Sequence, residues 1–147
     1  MIVQSIMTRK VVTVEMDDTL QTVKEIFDRL RFHHLLVVEQ GRLFGVLSDR
    51  DLLKALSPNL GTSTESLKDR ATLNKRVHQI MSRDPISLIP QASVLEAVKT
   101  FNAHRISCIP IVDADGKPVG VLSWRDILRT MLERPGEVAV LLQSHPH

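Results

Sequence analysis

The stretch Phe44-Gly45-Val46-Leu47-Ser48-Asp49-Arg50-Asp51 returns almost unchanged as Val119-Gly120-Val121-Leu122-Ser123-Trp124-Arg125-Asp126. Each copy reads as a short apolar strand that stops at a serine and turns into a helix. A serine there can cap the helix, and the aspartate three residues on lies in its first turn. Outward-pointing backbone N–H groups at such a start favour anions. The chain is therefore expected to carry two copies of one small-molecule site.

The repeat runs well beyond those eight residues. Ile6-Met7-Thr8-Arg9 and Ile80-Met81-Ser82-Arg83 match at an offset of 74, as do Phe27 with Phe101, Arg31 with Arg105 and Val38 with Val112. One extra residue near Asp115 makes the offset 75, which aligns Gly41 with Gly116, Gly45 with Gly120 and Asp51 with Asp126. A fixed period decides the architecture before any single element does. Half-domains of roughly sixty residues bury too little surface to be secure alone, so the two are expected to share a core. The expected division is repeat 1 over residues 1–60, a connecting helix over 61–79, repeat 2 over 80–134 and a tail over 135–147.

Each repeat reads strand, helix, strand, strand, helix, a mixed α/β (α+β) chain. In the first, Val11 to Val14 is β-branched, Asp17-Asp18-Thr19 signals a helix start, and Leu20, Val23, Phe27 and Leu30 recur at helical spacing. Leu35 to Val38 and Leu43 to Leu47 are strands joined at Gln40-Gly41, and Arg50 to Leu56 is the second helix. Ser57 to Ser66 is a loop. Leu67 to Ile80 is charged and helically spaced, with Lys68, Arg70, Lys75 and Arg76 read as a solvated face. In the second repeat, Ile86 to Ile89 is a strand, Ser93 with Glu96 a capping box, and Cys108 to Val112 a strand whose Pro110 belongs at an edge or bulge. Asp115-Gly116 marks a hairpin, Val119 to Leu122 and Arg125 to Leu132 complete the unit, and Glu137 onward is a tail.

Of the 147 residues, 43% are hydrophobic and 24% charged, as in an ordinary globular protein. A net charge of +2 gives no large field for nucleic acid or a membrane surface. Cys108 is the only cysteine, which fits a reducing compartment. With no apolar run of leader or membrane-span length, a cytoplasmic location is expected. There is no Walker-type glycine loop, zinc spacing, dinucleotide fingerprint or nucleophile–base–acid set, and adjacent His33 and His34 point to opposite faces of a strand, which disfavours a metal. No enzyme activity, resident cofactor or metal is expected.

Ser48 and Ser123 offer a hydroxyl, Arg50 and Arg125 a phosphate-matched guanidinium, and Asp51 and Asp126 a carboxylate for vicinal hydroxyls. Together they describe a nucleotide. The plainer reading of Ser-x-x-Asp is a capping box, and a duplicated cap would also appear twice. Gly45 and Gly120 mark a close approach within a strand, by a packed helix or by a flat ligand ring.

The paired Gly-Val-Leu-Ser-x-Arg-Asp units, the Ile-Met-(Thr/Ser)-Arg openings and the strand from Arg105 to Asp113 resemble tandem CBS domains, the Bateman module, over about residues 1–133. The module also occurs in inosine-monophosphate dehydrogenase and in the gamma subunit of AMP-activated protein kinase. The resemblance implies repeats packed about a pseudo-twofold axis, with inter-repeat clefts that take AMP, ADP, ATP, S-adenosylmethionine or dinucleotides. It implies ribose on Asp51 and Asp126, ribose or phosphate by Ser48 and Ser123, and phosphate near Arg50 and Arg125. His33-His34 stand where the kinase subunit has a phosphate-contacting His-Arg pair. Ser107-Cys108, with Ile106 beside them, take that place in repeat 2. Val11-Val12 and Pro85-Ile86 would wall the adenine. The chain is then a regulatory sensor of adenosine compounds, a homodimer with an unknown protein partner. The competing readings are a protein-interaction scaffold with no physiological nucleotide and, last, a nucleotide hydrolase. Leu36 stands where repeat 2 has Pro110, so the two sites need not match.

Overall fold

The computed structural model describes residues 1–143. They form two compact units, one of Val12–Pro85 and the other of Met1–Val11 with the chain from Ile86 onward. The spatial units thus cut across the sequence repeats, because the opening segment of each repeat folds into the core built by the other.

In the unit Val12–Pro85 the strands are β1 (Thr13–Glu15), β2 (His34–Glu39), β3 (Arg42–Ser48) and β4 (Ser82–Arg83), in that order across one sheet. β1 runs parallel to β2, and the other pairings are antiparallel. The β2–β3 hairpin turns on Gln40 and Gly41, both at positive φ (52° and 77°), the conformation a two-residue primed turn requires. Helix α1 (Leu20–Arg29) starts at Thr19, whose hydroxyl accepts the Thr22 N–H at 3.3 Å. Helix α2 (Asp49–Ala55) starts at Ser48. The core gathers Val14, Leu20, Val23, Leu35, Val37, Leu47 and Leu52 with Val77 and Met81 from the far end of the segment.

The expected long helix over Leu67 to Ile80 does not form. Helix α3 covers Leu67–Ala71, and short 3-10 turns cover Thr72–Asn74 and Val77–Gln79. Lys75 and Arg76 between them are extended (ψ 152° and 153°). Their backbone instead pairs with the start of α1: the Leu20 N–H donates to Lys75 O and the Val77 N–H to Asp18 O, both at 2.9 Å. Outside bonding partners won over helix propensity, which is a weak preference. Some of the basic side chains here are also engaged within the unit. Arg70 pairs with Glu65 at 3.1 Å, Lys75 Nζ donates to Ala55 O at 2.9 Å and Arg76 Nη1 to Asp17 O at 2.8 Å.

The second unit contains α4 (Val94–Ala103), β5 (Cys108–Val112), β6 (Pro118–Ser123), α5 (Trp124–Glu133) and α6 (Pro135–Gln143). β5 and β6 are antiparallel. Ser93 accepts the Glu96 N–H at 3.0 Å, one half of the expected capping box. Its core combines Ala97, Phe101, Ile109, Ile111, Leu122 and Ile127 with Val3, Ile6 and Met7. Val3 sits in a 3-10 turn (Val3–Ser5) tied to this unit by its N–H to Ala92 O at 2.8 Å. The tail is helical from Pro135 to Gln143, and residues 144–147 lie outside the described residues.

The expected strand Ile86 to Ile89 shrinks to one parallel bridge, Leu88 with Ile111. Pro110 is the reason. In the first unit the Leu36 N–H donates to Val12 O at 3.1 Å. Pro110 occupies the corresponding place and has no N–H to offer Ile86. Its carbonyl faces the same side and accepts the Leu88 N–H at 3.1 Å, so the missing donor falls on the thinly paired edge, where the sequence rule places it.

The close approach at the glycines is packing, by a methionine side chain that follows a 3-10 turn rather than by a helix. A Cβ on Gly45 would lie 2.9 Å from Met81 Sδ and 2.8 Å from Ser82 O, and one on Gly120 would lie 2.5 Å from Met7 Sδ. The methionine of each Ile-Met opening rests on the strand glycine of the other repeat.

Candidate functional site

The β3–α2 junction builds the first element. Ser48 Oγ accepts the Asp51 N–H at 3.1 Å, and Asp51 Oδ2 accepts the Ser48 N–H at 2.9 Å. This is a complete capping box, so the plainer reading of Ser-x-x-Asp describes real bonds here. Pairing of His34 with Ser48 across β2 and β3 brings the histidines to the same end of the sheet. His33 Nδ1 lies 3.0 Å from Asp49 Oδ2, and the Asp49 N–H donates to His33 O at 3.0 Å. The His33 contact holds the Asp49 carboxyl below the usual carboxylate range. Burial pushes the half-buried His34 below its ordinary value, against the pull of Asp49 and Asp51. Arg50 projects outward, exposed, and Val12 is half-buried beside the core.

The β6–α5 junction builds the second. Ser123 and Asp126 form the same box, with the Asp126 N–H 3.3 Å from Ser123 Oγ and the Ser123 N–H 2.9 Å from Asp126 Oδ2. Asp126 is only 2% exposed. Its Oδ1 also accepts from Arg129 Nη2 at 2.7 Å and Thr8 Oγ1 at 3.2 Å. Trp124, in the place of Asp49, donates its indole N–H to Ile106 O at 3.3 Å and lies with its ring centroid 5.2 Å from that of Phe101. Cys108 stands where the first element has His34; it is buried, and desolvation pushes its thiol up to about 12. It is a neutral core residue at physiological pH. Ile106 and Ile86 are half-buried, and Ser107 and Arg125 are exposed.

The structure therefore groups His33, His34, Ser48, Arg50 and Asp51 in one unit with Val12, and Ile106, Ser107, Cys108, Ser123, Arg125 and Asp126 in the other with Ile86. Val11 and Pro85 fall in the opposite unit from the rest of their expected sets. Neither Arg50 nor Arg125 makes a side-chain hydrogen bond or ion pair among the described residues. Among them there is also no group of three or more metal-ligating side chains, and no helix long and apolar enough to cross a membrane. Sequence reasoning missed Thr8 and Arg129. Arg129 carried a signal, being one helical turn from Asp126; Thr8 is 118 residues away and carried none.

The family model "CBS domain" matches residues 3–58 and 77–133. A CBS domain-containing protein of Dictyostelium discoideum is 28% identical over 134 residues, covering 90% of this chain and 92% of its own. Other relatives are longer, and the chain spans 44% and 23% of two of them. Among solved structures, the CBS domain pair of protein MJ0100, in complex with 5-methylthioadenosine and S-adenosyl-L-methionine, superposes with a TM-score of 0.75 at 23% identity, covering 91% of this chain and 98% of that one. CBSX2 in complex with AMP gives 0.73 at 24% identity, covering 90% and 96%. At those identities the likeness establishes the fold alone.

Proposed function

This chain belongs to the CBS domain family, carrying it as a tandem pair, and from that premise we propose a regulatory module that binds an adenosine-containing small molecule at its Ser-x-Arg-Asp elements. The observation that carries the reading is the duplicated helix start. Each copy sets a capping serine, a carboxylate at the third helical position and an exposed, uncommitted guanidinium at the second. A carboxylate suits a ribose diol and a guanidinium suits phosphate. Two similar folds hold S-adenosyl-L-methionine with 5-methylthioadenosine, and AMP, which supports the ligand class. Val11, Val12, Pro85 and Ile86 are assigned to the adenine. The ligand is a signal rather than a cofactor, and the role is regulatory, not catalytic, in the cytoplasm.

The module is further proposed to act as a homodimer that passes its state to a protein partner. Leu128, Met131 and Leu132 of α5 are exposed by 53%, 46% and 84%, and Leu53 of α2, in the place of Leu128, by 73%. The α5 face can by itself pair with its copy on a second chain. Sedimentation should give a dimer that Leu128→Asp dissociates.

The binding test is calorimetric titration with AMP, ADP, ATP, S-adenosylmethionine and NAD, alongside Trp124 fluorescence. Saturable binding is expected, and Arg50→Ala should weaken AMP by about tenfold or more, the worth of one charge-assisted bond, with little effect on adenosine. Absence of binding to every one of these compounds at millimolar concentration overturns the reading.

A further inference from the structure

The two copies of the element differ in how many donors their aspartates accept from. We propose that Asp126 is held by an internal latch, formed by Arg129 and Thr8, and that the chain therefore binds its ligand unequally, at the Asp51 element first. The inference rests on the reading of both aspartates as acceptors for a vicinal diol.

A carboxylate has about four lone-pair positions. On Asp126 the Ser123 N–H and Ser123 Oγ approach Oδ2 at 2.9 and 3.2 Å, while Arg129 Nη2 and Thr8 Oγ1 approach Oδ1 at 2.7 and 3.2 Å. Four donors fill the group, and burial closes it further. A diol needs two of those positions, so it must displace donors already bound. The Ser123 N–H is backbone and stays. Arg129 is half-exposed, with its side chain 51% accessible, and can swing into water. Displacing it costs a short charge-assisted bond, the strong kind.

The first element has no such latch. Lys54 stands where Arg129 does and Ser82 where Thr8 does. Neither side chain makes a hydrogen bond or ion pair among the described residues. Asp51 is also only half-buried, whereas Asp126 is buried. A site competent only when its latch is open shows an affinity reduced by the open fraction. Arg129 thus sets the affinity of the second element without being required for the first.

The probe is adenosine, which carries the diol and no phosphate for Arg50 or Arg125, compared with 2′,3′-dideoxyadenosine, which lacks the diol. Calorimetry on the full chain should resolve one tight site and a second weaker by about tenfold or more, as expected from competition with one charge-assisted bond. Asp51→Asn should remove the tight site and Asp126→Asn the weak one. Arg129→Met should bring the second site to within about threefold of the first, with no gain for the dideoxy compound. Thr8→Val removes one donor while keeping the ion pair, and should give a smaller gain in the same direction if Arg129→Met does not fold. Two equal adenosine sites in the unaltered chain overturn the latch alone. So does a second site that either folded variant leaves unchanged. No adenosine binding by any variant overturns the assignment of the aspartates itself, and the latch with it.

Discussion

His34 and Cys108 hold the same place in the two repeats and differ in charge behaviour. Burial favours the neutral imidazole, so folded His34 holds its proton more weakly than the unfolded chain, whose value is 6.5. As pH falls below that value the unfolded state takes up the proton first, and stability declines until the folded value is passed. Denaturant titration over this range should show that decline, and His34→Gln should flatten it. Asp49 is also depressed; its contribution is present at neutral pH and lost at lower pH, in the carboxylate range. The two strand glycines give a ranked expectation. Gly45→Ala meets backbone at Ser82 O as well as Met81, whereas the three atoms nearest a Cβ at Gly120 all belong to the flexible side chain of Met7. Overpacking of this kind costs about 1–3 kcal/mol, so Gly45→Ala should lower the melting temperature more than Gly120→Ala. Equal losses would contradict that ranking.

Among the elements, the short segments are the ones the repeat turns on. The 3-10 turns at Val3–Ser5 and Val77–Gln79 place Val3 and Val77, both fully buried, in the core of the opposite repeat. Val3→Ala removes about two buried methyl groups and leaves a cavity, a loss of about 2 kcal/mol. Chemical denaturation should record it, and hydrogen exchange should place the loosening in α4, β5 and β6 rather than in β2 and β3. β5 offers a balanced case. Pro110→Val restores an N–H that can reach Ile86 O as Leu36 reaches Val12 O. The new bond is worth about 1 kcal/mol, and the lost rigidity of proline costs about 0.4–1. Stability should change little, while the new amide at position 110 should be protected from exchange.

For the whole molecule, the crossing of openings between repeats means that a fragment cut at the sequence repeat is cut through a core. Residues 80–134 lack Val3, Ile6 and Met7 and should remain unfolded by circular dichroism. Residues 1–11 joined by a flexible linker to residues 86–143 keep that core whole and should fold, though marginally, as chains of about 70 residues do. A folded 80–134 fragment would show that the opening segment is dispensable.

The sequence by itself determined the repeat, the order of elements in the first copy and, except for the strand expected at Ile86 to Ile89, in the second, the hairpin at Gln40-Gly41 and the capping serines. These follow from local rules: side-chain periodicity, positive-φ turn residues and bonds between positions three apart. It also made Gly45, Gly120 and Pro110 legible as exceptions needing a neighbour. Only the tertiary structure decided which neighbour. Met81 on Gly45, Met7 on Gly120, the break at Lys75-Arg76 and the closure of Asp126 by Thr8 are contacts between residues far apart in the chain. The offset between Met7 and Met81 says that the two are equivalent, and nothing in it says that each packs on the other repeat's strand. The correspondence of Asp51 and Asp126 is likewise plain in sequence. Their difference comes from what bonds to them: Thr8 and Arg129 donate to Asp126, while Ser82 and Lys54, in the corresponding places, make no side-chain bond among the described residues, because lone pairs are shared out in space and not along the chain.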